Sequence, residues 1–210
     1  YSQIKGKSRI SVLAAVAVLS CSLFTGCVDQ SAGNTDKTTE GNSASTQSGS
    51  VSTMLEITDP EEKAAVEAAK AKVKGMGEKP KIIATSPSTA EICDRLELDL
   101  TGVCSSSVSE LPKRYDEVKE VGTAMAPDME IVASLDPDWI LSPATLQSDL
   151  QPKYEAINTD WAFLNLRSVQ GMYRSIQELG EIFGREEQAQ TMVDEFTAFY
   201  EDYKNKNEGK

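Results

Sequence analysis

Short apolar runs alternate with stretches of helical periodicity between Lys81 and Phe183, and this alternation constrains the fold more than any other feature of the 210-residue chain. The predicted strands are residues 81–86, 100–104, 138–142 and 161–166, and the predicted helices are residues 87–96, 128–135, 145–157 and 169–183. Strands that alternate with helices form a mostly parallel sheet covered on both faces. We therefore expect a three-layer α/β lobe.

Ligands of such sheets lie outside the carboxyl ends of the strands. Here those ends lead into loops rich in hydroxyl groups, namely Ser86–Thr89, Cys104–Val108 and Ser142–Thr145, together with the segment around Met125. The strand-end loops are poor in carboxylates, and we read them as lacking arginine. An anionic group of a ligand is expected to bind the free backbone amides at the helix start near Ser88. Ser86 or Ser88 is expected to cap this helix.

Met125 lies between Gly122 and Pro127, just before a helix that is predicted to begin at Asp128. Glycine allows an unusual backbone conformation and proline restricts the chain, so the side chain between them can be held at a fixed angle. A methionine held outside a helix at the mouth of an α/β lobe is a candidate soft ligand for haem iron. The alternative is that Met125 packs under its own loop, because methionine commonly fills gaps.

The first 27 residues have the pattern of an export signal. Lys5, Lys7 and Arg9 precede an apolar run at residues 10–19 that is too short for a comfortable membrane span. The following Leu23–Cys27 resembles a bacterial lipobox, which predicts acylation of Cys27 and anchoring on the extracellular face of the cell membrane. The alternative is an ordinary signal peptide with an incidental cysteine.

The remaining chain divides into four predicted parts. Residues 28–58 are polar and form a disordered tether. A helix capped by Asp59 occupies residues 59–78, and no chemistry is assigned to it. Residues 79–184 form the binding lobe, and residues 185–210 form one long helix that acts as a structural strut. Residues 1–52 are expected to contribute nothing to the fold.

The amino-acid composition argues against several classes of function. A formal net charge of −12 argues against a nucleic-acid partner. The chain has no histidine, which removes the usual general base and the commonest metal ligand. We find no Ser–His or Cys–His pairing and no glycine-rich phosphate loop, so a lipid-anchored enzyme is disfavoured. A surface adhesion or structural module is supported only by the tether.

The four cysteines include no C-x-x-C pair, which argues against a zinc site. Cys93 and Cys104 fall within the predicted lobe. Buried free thiols are the favoured interpretation, and a disulfide is the alternative outside the cell. A Cys104 thiolate would be a rival to Met125 as an iron ligand.

From Lys81 onward the chain resembles the N-terminal lobe of class III, helix-linked substrate-binding proteins of ABC importers. The resemblance rests on residues 83–91, Ile-Ala-Thr-Ser-Pro-Ser-Thr-Ala-Glu, and on the long terminal helix. Within that family, Leu111–Tyr115, Val118–Gly122 and Met125-x-Pro-Asp128 are most similar to the IsdE-type haem-receptor lipoproteins. The resemblance implies a monomeric receptor that captures haem without chemistry, changes shape little because its inter-lobe helix is rigid, and delivers haem to an ABC permease.

The resemblance also implies roles for individual residues. Met125 would bind haem iron through its thioether. The amides of Ser88 and Thr89 would receive one propionate, and those of Ser107 and Val108 would form a second pair. Val108 departs from the family, which can carry an aromatic residue there.

Glu130 matches a glutamate that pairs with an arginine of the permease, and the alternative is a solvated helix carboxylate. The family's second iron ligand is a histidine of a C-terminal lobe, so we expect that a second lobe is missing here. A siderophore or cobalamin is the alternative ligand. A siderophore site would require arginine, tyrosine and tryptophan in the cleft, and the inferred lack of arginine favoured haem.

Overall fold

The computed structural model describes residues 3–5 and 55–207. The helices are α1 (Pro60–Gly75), α2 (Pro87–Arg95), α3 (Met129–Ser134), α4 (Gln147–Ala156), α5 (Val169–Phe183) and α6 (Glu186–Asn207). The strands are β1 (Gln3–Lys5), β2 (Ile82–Ala84), β3 (Gly102–Val103), β4 (Lys119–Glu120), β5 (Trp139–Pro143) and β6 (Asp160–Leu164). Two 3-10 turns lie at Lys113–Tyr115 and Ala144–Leu146.

The strands form one sheet in the order β1-β6-β5-β2-β3-β4. Strands β2 to β6 are parallel, whereas β1 pairs antiparallel with β6. The expectation of a mostly parallel α/β lobe is confirmed, because every helix that follows a strand returns the chain to the same end of the sheet.

The two faces of the sheet follow the period of two along each strand. One face packs against α1, α2, α5 and α6 and contributes Ile82, Ala84, Val103, Trp139, Leu141, Ala162 and Leu164. The other face packs against α3 and α4 and contributes Ile83, Val121, Ile140, Trp161 and Phe163. Burying one such large apolar side chain contributes about 1.5–3 kcal/mol. The molecule therefore has the three layers expected, and α1 belongs to the same compact unit as the lobe.

Side-chain oxygens cap three helices, Asp59 at its predicted position and Asp128 at a position that was predicted to be the first residue of its helix. Asp59 accepts from the amides of Glu61 and Glu62 at the start of α1, and Asp128 does the same for α3. The α2 helix had two candidate caps, Ser86 and Ser88. Ser86 holds the position, and its hydroxyl accepts from the Thr89 amide at 3.2 Å.

Two strands were missed by the sequence reading. Strand β4 has two exposed residues, Lys119 and Glu120, and so carries no apolar pattern. Strand β1 lies inside the segment that was expected to contribute nothing, yet Ile4 packs against the first face of the core. That expectation is wrong for residues 3–5. The expected apolar run, lipobox, Cys27 and most of the tether lie outside the described residues.

The long terminal helix is confirmed as α6. Its first half buries Ala189, Met192 and Val193, whereas Phe199 and Tyr203 in its second half are 67% and 60% exposed. The predicted helix at residues 145–157 begins instead with a 3-10 turn, and α4 starts at Gln147. Within the described ranges, no helix has the length and apolar character needed to cross a bilayer.

Candidate ligand-binding site

Five loops leave the carboxyl ends of the parallel strands and lie along one edge of the sheet. We call these loops the carboxyl edge, which comprises residues 85–88, 104–111, 121–128, 143–146 and 165–168. Neighbouring strands are about 4.8 Å apart. The loop after β2 therefore lies in the middle of the edge, the Met125 loop lies at one end and residues 165–168 lie at the other.

Met125 stands on a closed turn. The Asp128 amide donates to the Val121 carbonyl at 2.7 Å, and Gly122 and Pro127 form a bridge across the base. Above the bridge, the Ala126 amide donates to the Thr123 carbonyl at 3.1 Å. Met125 is 78% exposed, so the alternative that it packs under its loop is wrong. The thioether is presented to solvent from a backbone that is held by its own hydrogen bonds.

Gly122 is required by this turn. Its φ is +93°, a conformation that residues with a side chain rarely adopt. A Cβ there would also lie 3.0 Å from both the Ala126 carbonyl oxygen and the Asp128 amide nitrogen. Gly122 was predicted to free the backbone before Met125, and the structure shows that a residue with a side chain would not fit there.

The start of α2 offers one free amide from the predicted pair. The Thr89 amide is buried and donates to the Ser86 hydroxyl, which also shares a 2.8 Å hydrogen bond with the Thr89 hydroxyl. Ser88 is exposed, and its amide has no hydrogen-bond partner among the described residues. An anion at this helix start would therefore bind Ser88 first, with the helix dipole favouring its charge.

The second predicted amide pair lies in the loop after β3. The Ser106 hydroxyl accepts from the amides of Val108 and Ser109 at 3.4 and 3.2 Å. This leaves the Ser107 amide as the available donor of the predicted pair, and Val108 is 96% exposed beside it. A cavity of about 510 Å³ lies behind the loop, with Leu111, Tyr115 and Val118 among its lining residues.

A chain of buried hydroxyl groups lies directly beneath the carboxyl edge, and sequence reasoning missed it. Tyr154 of α4 is hydrogen-bonded to Ser142 at 2.9 Å, and Ser142 is hydrogen-bonded to Thr85 at 2.7 Å. The Thr85 hydroxyl donates to the Leu141 carbonyl at 3.3 Å. Because each hydroxyl has one proton, the donors run from Tyr154 through Ser142 to Thr85. The chain ties the ends of β2 and β5 to α4.

Arg167 is the second residue that the sequence reading missed. It leaves the carboxyl end of β6 and is exposed, so the inference that the strand-end loops lack arginine is wrong. The strand-end loops named from the sequence did not include the loop after the fourth predicted strand, where Arg167 directly follows Leu166. The absence of arginine can no longer be used to favour haem over a siderophore.

The family model described as "Periplasmic binding protein" matches residues 82–210. This chain belongs to that family. The match covers the whole parallel sheet and the long helix α6, and it confirms the resemblance to one lobe of an ABC-importer substrate-binding protein.

Two relatives of this periplasmic binding protein carry names that mention haem uptake or a transporter. The high-affinity heme uptake system protein IsdE of Staphylococcus aureus (strain Newman) is 33% identical over 126 residues, which are 60% of this chain and 43% of that protein. An ABC transporter substrate-binding protein from Listeria monocytogenes EGD-e has a TM-score of 0.61 at 40% identity, over 63% of this chain and 51% of that one.

The crystal structure of S. aureus IsdE complexed with heme gives a TM-score of 0.60 at 32% identity, again over 63% of this chain and 51% of that one. The siderophore-binding protein BauB, at 22% identity and a TM-score of 0.50, shows the fold alone. This chain thus spans about half the length of the relatives it matches.

The two cysteines of this periplasmic binding protein lobe are buried free thiols, as favoured from the sequence. Burial, and secondarily Asp94, raises the pKa of Cys93 to about 12. Burial also raises the pKa of Cys104 to about 11. A protonated, buried Cys104 is a poor iron ligand, which argues against Cys104 as the alternative to Met125. The described residues contain no cluster of histidine, cysteine, aspartate or glutamate that could hold a metal ion.

Glu130 lies in the first turn of α3 and is exposed. Its amide donates to the Asp128 cap at 3.0 Å, which fixes the start of the helix only four residues after Met125. This position is compatible with permease docking and with a solvated carboxylate, and both interpretations stay open.

Proposed function

We propose that this chain is the haem-binding lobe of a surface lipoprotein that delivers haem to an ABC importer. The observation that carries the proposal is the exposed Met125 thioether on a hydrogen-bonded turn at the carboxyl edge. The names of relatives at 32–33% identity, a heme uptake protein and its heme complex, support it.

The proposed mechanism is capture without a chemical step. Met125 donates its sulfur to the iron, and the free amide of Ser88 binds one propionate at the start of α2. The Ser107 amide serves the second propionate. The downstream half of a longer protein supplies the opposing wall and the second iron ligand, because this chain has no histidine. We expect little hinge motion about α6, and a large rotation between free and bound full-length forms would contradict this.

The delivery part of the proposal concerns Cys27 and Glu130. Cys27 carries the lipid that holds the receptor on the extracellular face of the membrane, and Glu130 pairs with an arginine of the permease. Labelled palmitate should enter the chain but not its Cys27→Ala variant. Uptake should fall in Glu130→Arg and return when the permease arginine is changed to glutamate, and unchanged uptake in Glu130→Arg would contradict the docking role.

The first experiment is a haem titration of the chain, followed by absorption spectra and compared with Met125→Ala. We expect a sharp Soret band in the wild type that shifts in the variant, because the thioether leaves the iron. Met76→Ala is the control, since Met76 lies at the end of α1 on the opposite edge of the sheet. Identical spectra for wild type and Met125→Ala would contradict the assignment of the ligand.

The second candidate function is a siderophore receptor with the same fold, and Arg167 at the carboxyl edge is the observation that favours it. The same titration with a ferric siderophore and with cobalamin tests it. Binding of either in the absence of any haem binding would replace the first proposal.

A further inference from the structure

Arg167 is held by a loop that is fixed at both ends. The Arg167 amide donates to the Asn165 side-chain oxygen at 3.2 Å, and the Asn165 amide donates to the Ser175 hydroxyl at 3.1 Å. Helix α5 lies directly on this loop, because a Cβ on Gly171 would come within 2.6 Å of the Asn165 side chain. The backbone of Arg167 is therefore fixed relative to β6 and α5.

The charge of Arg167 is unusual for its surroundings. Among the residues of the five carboxyl-edge loops it is the one base, and Glu110 and Asp128 are the acids. Its guanidinium makes no ion pair with any described side chain, although this chain has 33 acidic residues and pairs Lys79, Arg95 and Arg114 with carboxylates. An exposed guanidinium is planar and has five N–H donors, so it is suited to bidentate binding of a carboxylate.

We propose that Arg167 is a further ligand-binding residue, which pairs with a carboxylate of the iron-carrying ligand at the end of the carboxyl edge opposite Met125. This inference rests on the proposed function, since it assigns a further binding point, beside Met125, Ser88 and Ser107, to the same ligand. It also names the ligand chemistry as an anion with at least one carboxylate.

The sheet order sets the separation of Arg167 from Ser88 and from Met125. Strand β2, which leads to Ser88, lies two strands from β6, and β4, which leads to Met125, lies four strands from β6. With about 4.8 Å between strands, these separations are roughly 10 and 19 Å. Long side chains on Met125 and Arg167 shorten the second gap, so an extended ligand with a central iron and a peripheral carboxylate can span it. Val169, 50% exposed beside Arg167, supplies an apolar contact for the body of such a ligand.

The test compares Arg167→Gln with the wild-type chain in titrations with haem and with the dimethyl ester of haem, in which both carboxylates are blocked. We expect Arg167→Gln to weaken haem binding about tenfold or more, as for a lost hydrogen bond to a charged group. The ester should bind wild type and variant equally. Arg167→Lys should recover part of the affinity, because it restores the charge without the planar group.

Lys79→Gln is the matched control, because it removes one positive charge from an exposed residue at the other end of β2. It should leave haem affinity unchanged, and all three variants should retain the wild-type unfolding midpoint. Equal haem affinity of wild type and Arg167→Gln would overturn the inference while leaving the haem function intact.

A second arm uses ferric citrate, in which the carboxylates belong to citrate and not to haem. If the chain binds ferric citrate but not haem, and Arg167→Gln weakens that binding, the haem function fails and the inference stands. If the wild-type chain binds neither haem nor ferric citrate, both are overturned.

Discussion

Gly122 controls the presentation of Met125 at the scale of single residues. The turn above it closes because the backbone at residue 122 adopts φ +93° and passes close to Ala126 and Asp128. Met125, the proposed iron ligand, makes none of the hydrogen bonds that hold this turn. The residue that positions Met125 is thus a neighbour with no functional group.

Gly122→Ala is expected to destabilise the fold by about 1–3 kcal/mol, because alanine is strained at positive φ and its Cβ meets backbone atoms. Urea unfolding followed by circular dichroism measures the change. Gly75→Ala is the matched control: a Cβ at Gly75 meets nothing within 4 Å, so that variant should lose no stability. Equal midpoints for the two variants would contradict the strained turn.

Tyr154→Phe is expected to cost about 1 kcal/mol, because it removes one buried hydrogen bond while Ser142 can still donate to Thr85. Burial raises the pKa of Tyr154 despite its hydrogen bond to Ser142, so the phenol is a neutral donor at pH 7. Thermal unfolding measures the loss. Tyr203→Phe, at an exposed position of α6, should leave the midpoint unchanged.

The two thiols of the lobe are expected to resist alkylation at pH 8. Burial raises the pKa of both Cys93 and Cys104, so each stays protonated and inaccessible in the folded state. In a chain with Cys21→Ser and Cys27→Ser, iodoacetamide should label neither residue before denaturant is added and both afterwards. Rapid labelling of Cys104 in the native chain would restore it as a candidate ligand.

At the scale of the element, helix α2 contributes to stability and carries one of the proposed ligand-binding groups. Ser86 closes its first turn through the Thr89 amide, and the neighbouring Ser88 amide remains free. The two serines, which the sequence left as equal candidates for the cap, therefore have different tasks. Ser86 caps the helix, and Ser88 leaves its amide available for the proposed ligand.

Ser86→Ala is expected to lower the free energy of unfolding by about 1 kcal/mol through loss of the cap, and Ser88→Ala is expected to leave it unchanged. Ser88→Ala should also retain haem affinity, because the proposed donor is its backbone amide. Urea unfolding and haem titration of both variants measure these outcomes. A loss of affinity in Ser88→Ala would assign the contact to the hydroxyl instead.

At the scale of the whole molecule, the second half of α6 is exposed, and the chain spans about half the length of its relatives. The two observations are consistent with each other. Phe199 and Tyr203 lie on this half, and both residues are mostly exposed to solvent. We expect a downstream lobe of a longer protein to pack against them.

Hydrogen exchange tests this expectation. Amides of residues 198–207 should exchange rapidly in the present chain and at least tenfold more slowly when the downstream half is present, because packing raises the cost of local opening. Amides of β5 should exchange slowly in both. Unchanged exchange at residues 198–207 would mean that this half of α6 stays exposed in the longer protein.

The sequence by itself determined the α/β alternation, the cap at Asp59 and the loop that carries Met125. These features depend on local periodicity, on side-chain-to-backbone hydrogen bonds a few residues apart and on glycine and proline, all of which are visible along the chain. They were enough to predict the three layers and the edge where the site lies.

Only the tertiary structure decided which groups come together at and beneath the carboxyl edge. Strand order brought Thr85, Ser142 and Tyr154 together and placed Arg167 on the same edge as Met125. These outcomes depend on pairing between strands that are 50 or more residues apart, such as β2 with β5, and no local pattern encodes that pairing.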